Sequence, residues 1–336
     1  FDLVAIAGRE HGRTLSDLDW RLQHKRPDSL DLLSEPILDV HSPELPLRLK
    51  ALGVTIVFSA LPSGPAQKIE PHLTKSGLVV FSNASAYRMH PEVPLVVADV
   101  NPETLEKWPG ELGLLACATN CTLIPVLHPL HIIAKHHRVK HVKIRSEQAL
   151  SGAGWTLLFD DEQRKLAIGN EIEGEAQKLI EEAERILQLD TEWDVVCTRV
   201  DEEEGHIVNV ELELDATVTV EEINSLLRSH NYSHLSKLPS SPPTPLIVLE
   251  EPPSRDVHLW GSSQSSNPDP SQDLLAGMET CVHVEMVEGT IVKFKALSHN
   301  TIRGAAGGVV LLAERAIADG HIPSVDINPS DVSSDW

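Results

Sequence analysis

A chain of 336 residues that is 41% hydrophobic and 23% charged can bury a large core, and two domains are expected rather than one. A net charge of -22 argues against binding nucleic acid through a broad basic surface, yet leaves room for a local Arg/Lys pocket around an anionic substrate. The four cysteines (Cys117, Cys121, Cys197, Cys281) show no CxxC or zinc spacing, and no run spans a bilayer or reads as a leader, so a cytoplasmic protein with free thiols is expected.

Taken in order, Leu3-Val4-Ala5-Ile6-Ala7-Gly8 is an apolar run ending in glycine and reads as a buried strand. Residues 12–45 mix charges and prolines and specify little. Val54 to Ala60 has the pattern of a strand, stopped by Leu61-Pro62-Ser63-Gly64-Pro65. Gln67 to Lys75 follows as a helix, and Leu78 to Phe81 as a strand ending at Ser82-Asn83. Strands separated by short helices indicate a parallel sheet with crossover connections. The polar turn Thr119-Asn120-Cys121-Thr122 then separates the apolar run Gly113 to Ala116 from a helical apolar run, Leu123 to about Ala134. A cysteine in the first turn of a helix sits where the dipole favours a thiolate, the nucleophile of carbonyl chemistry. On the local sequence alone, a buried cysteine acting as a small hydrophobe is the commoner reading.

Val139 to Gln148 alternates as a strand, and Ser151-Gly152-Ala153-Gly154 is a turn. Glu171 to Leu187 reads as a charged amphipathic helix, with Glu175 and Lys178 on one face. Asp194 to Val200 and His206 to Leu214 read as strands, and Thr219 to His230 as a helix. Residues 233–273 are rich in Ser and Pro and are expected to be mostly loop. Val282 to Val287 and Thr290 to Ala296 pair as a hairpin across Glu288-Gly289, and a last helix runs from about Thr301 to Ile317.

Chemistry is carried by few of these residues. Arg199 and His206 stand seven apart at the facing ends of two strands, where imidazole can exchange protons and guanidinium can hold a carboxylate. An ordinary hairpin with an exposed Arg explains the same spacing. Glu175 and Lys178 form either a surface ion pair or part of a binding face. Ser298 to Gly308 is a helix start whose small residues admit a ligand or another backbone. His128, His131, His136, His137 and His141 cluster without a carboxylate or Cys beside them, and no metal site is expected there.

As a set, these stretches resemble the archaeal and fungal type of aspartate-semialdehyde dehydrogenase. The resemblance rests on Ser82-Asn83-Ala84-Ser85-Ala86-Tyr87-Arg88-Met89 with Pro91 to Leu95, and on Asn120-Cys121-Thr122. It extends to Gln148 to Gly154, to the Arg199–His206 separation and to Ser298 to Gly307, and so covers nearly the whole chain. It implies an α/β fold: a Rossmann-like nucleotide-binding domain formed by 1–121 with 300–336, and an α+β catalytic and dimerisation domain with a mixed sheet formed by 122–299. It also implies NADPH-dependent reduction of aspartyl phosphate to aspartate semialdehyde, with release of phosphate, for threonine, methionine and lysine biosynthesis. Cys121 would then be the nucleophile, His206 the proton carrier (taking one from the thiol first) and Gln148 the group that orients the intermediate, with backbone N–H groups at the helix start holding the oxyanion. Arg199 would bind the α-carboxylate and Glu175 the α-ammonium, while Lys178 and Arg88 clamp the phosphate. Ser59, Leu61, Ser63, Ser82, Ser151, Gly152 and Asn300 fall where the family meets NADP, and Gly8 and Arg9 where it meets the 2′-phosphate. A homodimer or homotetramer is implied.

The chain departs from the family pattern at its front. No GxGxxG or GxxGxxG turn lies near Leu3 to Gly8, so the sequence starts about one βα unit later than the family does, and an open slot in the sheet is expected. Cys117-Ala118-Thr119 lacks the usual Pro before Asn, Asp99 replaces the usual Glu, and residues 262–271 look inserted. Two other readings compete. One is a catalytically impaired homologue that serves as a dimerisation or regulatory partner. The other is an N-acetyl-glutamyl-phosphate reductase type of enzyme.

Overall fold

The computed structural model describes residues 1–21, 34–109, 113–263, 265, 268–269 and 272–322; part of the expected insertion at 262–271 and the end of the chain lie outside them. The strands are β1 (Ala7–Gly8), β2 (Leu38–Asp39), β3 (Ile56–Ser59), β4 (Val79–Ser82), β5 (Leu115–Cys117), β6 (Val139–Gln148), β7 (Glu192–Arg199), β8 (His206–Leu214), β9 (Leu246–Val248), β10 (Thr280–Glu288) and β11 (Ile291–Ser298). The helices are α1 (Leu45–Ala51), α2 (Ser63–Lys75), α3 (Ile124–Ala134), α4 (Trp155–Phe159), α5 (Asp161–Ala167), α6 (Glu175–Leu187), α7 (Val220–Ser229), α8 (Arg255–His258) and α9 (Gly307–Ala318).

Three parallel strands, β3-β4-β5, form the first sheet, with Ser59 opposite Ser82 and Ser82 opposite Cys117 at its carboxyl end. Parallel pairing needs a crossover, and α2 supplies it between β3 and β4. That helix begins at Ser63, earlier than expected, because Pro62 in an extended conformation caps it and Pro65 is tolerated in its first turn. β1 and β2 pair with each other in a separate two-stranded parallel sheet. The apolar run at 3–8 is therefore mostly not a buried strand: only Ala7–Gly8 pairs, and Leu3 is 55% exposed. Phe58 on β3 is also partly exposed, and the Phe1 ring meets it edge-on at 5.4 Å.

The second sheet is mixed and six-stranded, in the order β7-β6-β8-β11-β10-β9. Alternation decides its two faces. Val142, Ile144, Val208, Val210, Leu212, Val282, Val292 and Phe294 pack with α3 and α7 in one core. Lys143, Arg145, Glu211 and Lys293 lie outside that core, where Lys143 and Lys293 both reach Glu211, at 2.7 and 2.9 Å. The expected hairpin is β10–β11, turning at Gly289 with φ +63°. The Ser/Pro-rich stretch is not all loop, since β9 inside it pairs in parallel with β10.

Two helices fit the sheets to each other. α3 is buried from Ile124 to Ile133 and contributes to the cores of both sheets. α6 starts at Glu175 rather than Glu171, because Gly174 takes a left-handed conformation (φ +70°) that breaks the run. α7 has a capping box in which Thr219 and Glu222 serve each other's backbone N–H groups. The last helix is preceded by a π-helical turn, Ile302–Ala306. Among the described residues no helix is long and apolar enough to cross a membrane.

Candidate active site

The turn that carries Cys121 follows β5 directly and leads into α3. Asn120 shapes it: its side-chain oxygen accepts from Thr122 N at 2.8 Å, its carbonyl accepts from Leu123 N at 3.0 Å, and its amide donates to Glu175 at 2.7 Å. Cys121 therefore lies in the tight turn ahead of the helix, three residues before Ile124, and not inside its first turn. Because Asn120 occupies the Thr122 and Leu123 N–H groups, these do not make the oxyanion hole expected at the helix start.

Cys121 Sγ stands 3.3 Å from His206 Nε2. β8 brings the imidazole there, and the ring's other nitrogen, Nδ1, accepts from Ala149 N at 3.1 Å. A ring nitrogen that accepts a backbone N–H carries no proton, so the neutral ring holds its hydrogen on Nε2, facing the sulfur. The ring meets Cys121 first as a hydrogen-bond donor, which reverses the expected order of its roles. Burial pushes the Cys121 thiol up to about 11; Arg88 opposes this, Glu175 adds to it, and Thr122 and Arg199 pull it back down. Burial also drives His206 well below its ordinary value, aided by Arg199, Arg255 and His299. The resting pair is thus a neutral thiol and a neutral imidazole, not the thiolate expected from the turn alone.

Arg199 does not share a hairpin with His206, because β6 lies between β7 and β8. Its guanidinium is buried and donates to Ala149 O at 2.6 Å, and burial lowers its pKa. Gly152 lies over both groups: a Cβ there would fall 2.9 Å from His206 Nε2 and 3.3 Å from Arg199 Nη1. Gln148 ends β6, buried, with its amide 3.4 Å from Ser146 Oγ. Glu175, bound by Asn120, has Lys178 at 3.6 Å, and that lysine side chain is 54% exposed. Arg88 reaches the same region but is already engaged, by Glu182 at 3.0 Å and by Asn83 O at 2.7 Å.

The residues expected at the cofactor divide. Ser59 and Ser82 end adjacent parallel strands, the edge where α/β sheets bind ligands. Leu61 and Ser63 follow β3 into α2. The Ser82 hydroxyl, however, is committed to the fold: it donates to Glu70 at 2.6 Å and accepts from Ala84 N. Asn300 donates to Ser151 Oγ at 2.7 Å and accepts from Gly205 N, which joins the expected cofactor side to the turn ahead of His206. Gly8 and Arg9 lie at the end of β1, with Arg9 exposed.

Four contributors were not singled out from sequence. Glu182 accepts from Thr119 Oγ1 and from Asn120 N. Arg255 braces the turn before His206 by donating to Gly205 O and Glu147 O. Asn120 was visible only as the neighbour of Cys121. Gly304 belonged to the noted small-residue run, and a Cβ on it would lie 2.6 Å from Cys121 Cβ.

A family profile described as "Semialdehyde dehydrogenase, NAD binding domain" matches residues 41–108. An aspartate-semialdehyde dehydrogenase of Archaeoglobus fulgidus is 34% identical, with 95% of this chain and 91% of that protein covered. The chain belongs to the aspartate-semialdehyde dehydrogenase family. An aspartate-semialdehyde dehydrogenase of Aspergillus fumigatus is also 34% identical, over 80% of this chain and 78% of that one. Among solved structures, an aspartate-semialdehyde dehydrogenase of Candida albicans with NADP superposes with a TM-score of 0.74 at 25% identity, covering 96% of this chain and 93% of that one. The fold expected from the resemblance, Rossmann-like α/β with a mixed-sheet part, is the fold of this aspartate-semialdehyde dehydrogenase family member.

Proposed function

We propose that this chain reduces L-aspartyl-4-phosphate to L-aspartate 4-semialdehyde with NADPH, releasing phosphate, through a thioester on Cys121. The reaction would serve threonine, methionine and lysine biosynthesis in the cytoplasm. One observation carries the reading: a sulfur 3.3 Å from an imidazole, with the Arg199 guanidinium within reach of the same Gly152.

The steps follow from the groups present. The Cys121 thiol attacks the acyl carbon, and the carbon–oxygen bond to phosphate breaks to leave a thioester, the thiol proton departing with the phosphate. His206 Nε2–H donates first to the sulfur and then to the oxygen that becomes negative as the thioester is reduced. Collapse of that thiohemiacetal anion expels the thiolate and frees the aldehyde, and the thiolate takes up one proton from solvent to return the enzyme to its neutral thiol. Gln148 orients the intermediate, Arg199 holds the α-carboxylate and Glu175 the α-ammonium. Arg88 and Lys178 receive the phosphate.

NADPH, when bound, supplies the hydride. The strand ends at Ser59 and Ser82, the buried Asn83 Oδ1 that has no hydrogen-bond partner, and the Ser151–Asn300 pair fit a dinucleotide laid along this edge. Leu61, Ser63 and Gly152 would line it, and Gly8 and Arg9 would face the 2′-phosphate. Residues 1–121 with 300–336 would form the NADP-binding domain, and 122–299 the catalytic and dimerisation domain of a homodimer or homotetramer.

The test is phosphate-dependent reduction of NADP by aspartate semialdehyde. Wild-type protein is expected to turn over and Cys121→Ala to be inactive. Equal rates for the two proteins would overturn the reading.

A further inference from the structure

Helix α6 carries Glu175, Lys178, Glu182 and Arg185, which repeat at three- and four-residue steps and so share one face. That face is turned toward the nucleophile turn. Glu182 is 3% exposed, yet its carboxylate has three partners. Oε2 accepts from Thr119 Oγ1 at 2.9 Å and from Asn120 N at 2.7 Å, while Oε1 pairs with Arg88 at 3.0 Å. One helical turn on, Arg185 donates to His90 O at 2.8 Å and to Val93 O at 2.6 Å, fixing the segment that follows Arg88.

We propose that Glu182 is a positioning residue: one buried carboxylate holds Arg88 and the Thr119–Asn120 turn together and balances the cationic charge that faces Cys121. The physical argument is electrostatic. A buried charge without a counter-charge is costly, so Arg88 can stay close to the sulfur only beside Glu182. The charged and titratable groups facing Cys121 are Arg88, Arg199, His206 and Glu175, and Arg255 and His299 act in turn on His206. Of these, Arg88 is the group whose charge Glu182 directly offsets. A phosphate dianion arriving at Arg88 competes with Glu182 for the same guanidinium, so anion binding and thiol reactivity are coupled through this residue. The coupling to phosphate rests on the function proposed above; the effect on the sulfur does not.

Inactivation by iodoacetamide, followed across pH, reads the sulfur without any substrate. Glu182→Gln keeps the size of the side chain and one acceptor oxygen but removes the charge. Arg88 is then uncompensated and favours the thiolate. The line of log rate against pH is expected to move down by roughly half a unit to one unit, a three- to tenfold faster reaction at a fixed pH. Inorganic phosphate should protect this variant at lower concentration than it protects wild type. Thr119→Val removes one donor to Glu182 and leaves the ion pair, so its line should stay within about twofold of wild type. Should Glu182→Gln not fold, Arg88→Gln carries the test, with a three- to tenfold slower reaction expected.

A folded Glu182→Gln that reacts at the wild-type rate at every pH would overturn the proposal. So would a Thr119→Val shift as large as that of Glu182→Gln, which would make turn geometry the cause, or an unchanged rate in Arg88→Gln. Failure of the wild-type protein to oxidise aspartate semialdehyde would sink the proposed function and leave these lines where they are.

Discussion

At Cys121 burial and charge oppose each other. Burial raises the thiol to about 11, and two guanidinium groups pull it back, so Cys121 rests as a thiol. Lowered basicity at His206 and an accepting Nδ1 make that ring a donor through Nε2. On the roles proposed above, His206 and Arg199 should therefore fail differently. His206→Asn is expected to lower kcat by 10²- to 10⁴-fold with little change in KM, because a donor to the developing charge is lost. Arg199→Ala should raise KM for aspartate semialdehyde by roughly ten- to hundredfold, the cost of a charged hydrogen bond to carboxylate, with a smaller loss in kcat. Steady-state kinetics separates the two, and an equal rise in KM for both would contradict the assignment. Cys121 and His206, which lie 3.3 Å apart, could be picked out from sequence through residue type and the family resemblance, and Arg199 and Gln148 through the same resemblance. Glu182 could not. Its importance depends on which donors the fold brings to one carboxylate, and nothing in a charged helix marks one glutamate from the next.

Elements were legible where a hydrophobic period exists. β6 and β8 alternate cleanly and were found with the right ends, whereas β9 is three residues between prolines and was hidden by the composition around it. Strand order was not readable: Arg199 and His206 look like a hairpin in sequence, yet β6 passes between their strands and carries Gln148 to the same end. The π-helical turn at Ile302–Ala306 shows why small residues were needed there. A Cβ on Gly304 would fall 2.6 Å from Cys121 Cβ and 3.0 Å from its Cα, against backbone that cannot swing away. Gly304→Ala should therefore fold, since only one turn has to move, but displace the sulfur from His206. An at least tenfold loss of kcat is expected, with slower alkylation of Cys121 and a circular dichroism spectrum like that of wild type. Wild-type kinetics in this variant would mean that the turn does not press on Cys121.

Across the whole molecule, the loop after β4, helix α3 and the segment after β11 meet at one fully buried cluster. Arg303 donates to Asp99 at 2.6 Å and to His128 Nε2 at 3.1 Å, and His128 Nδ1 lies 2.8 Å from Thr280 Oγ1. His128 Nε2 also stands 3.1 Å from Asp99 Oδ2, so the imidazole and the Arg303 guanidinium both face the Asp99 carboxylate. This cluster answers a point left by the sequence: Asp99 is an ion-pair partner rather than a stray replacement. Burial by itself would raise the Asp99 carboxyl, but Arg303, His128 and His131 together outweigh it and hold the group far below its usual value of 3.8. A carboxyl lower in the folded chain than in the unfolded one adds stability above the usual value, and that stability is lost as pH falls below it. Asp99→Asn leaves Arg303 buried without a counter-charge and should cost about 3–5 kcal/mol at pH 7. The difference from wild type should shrink below about pH 4, where the unfolded wild-type chain takes up the proton that favours unfolding. Urea melts of both proteins at pH 7 and pH 3 measure this. A gap that stays the same at both values would show that Asp99 contributes through shape and not through charge.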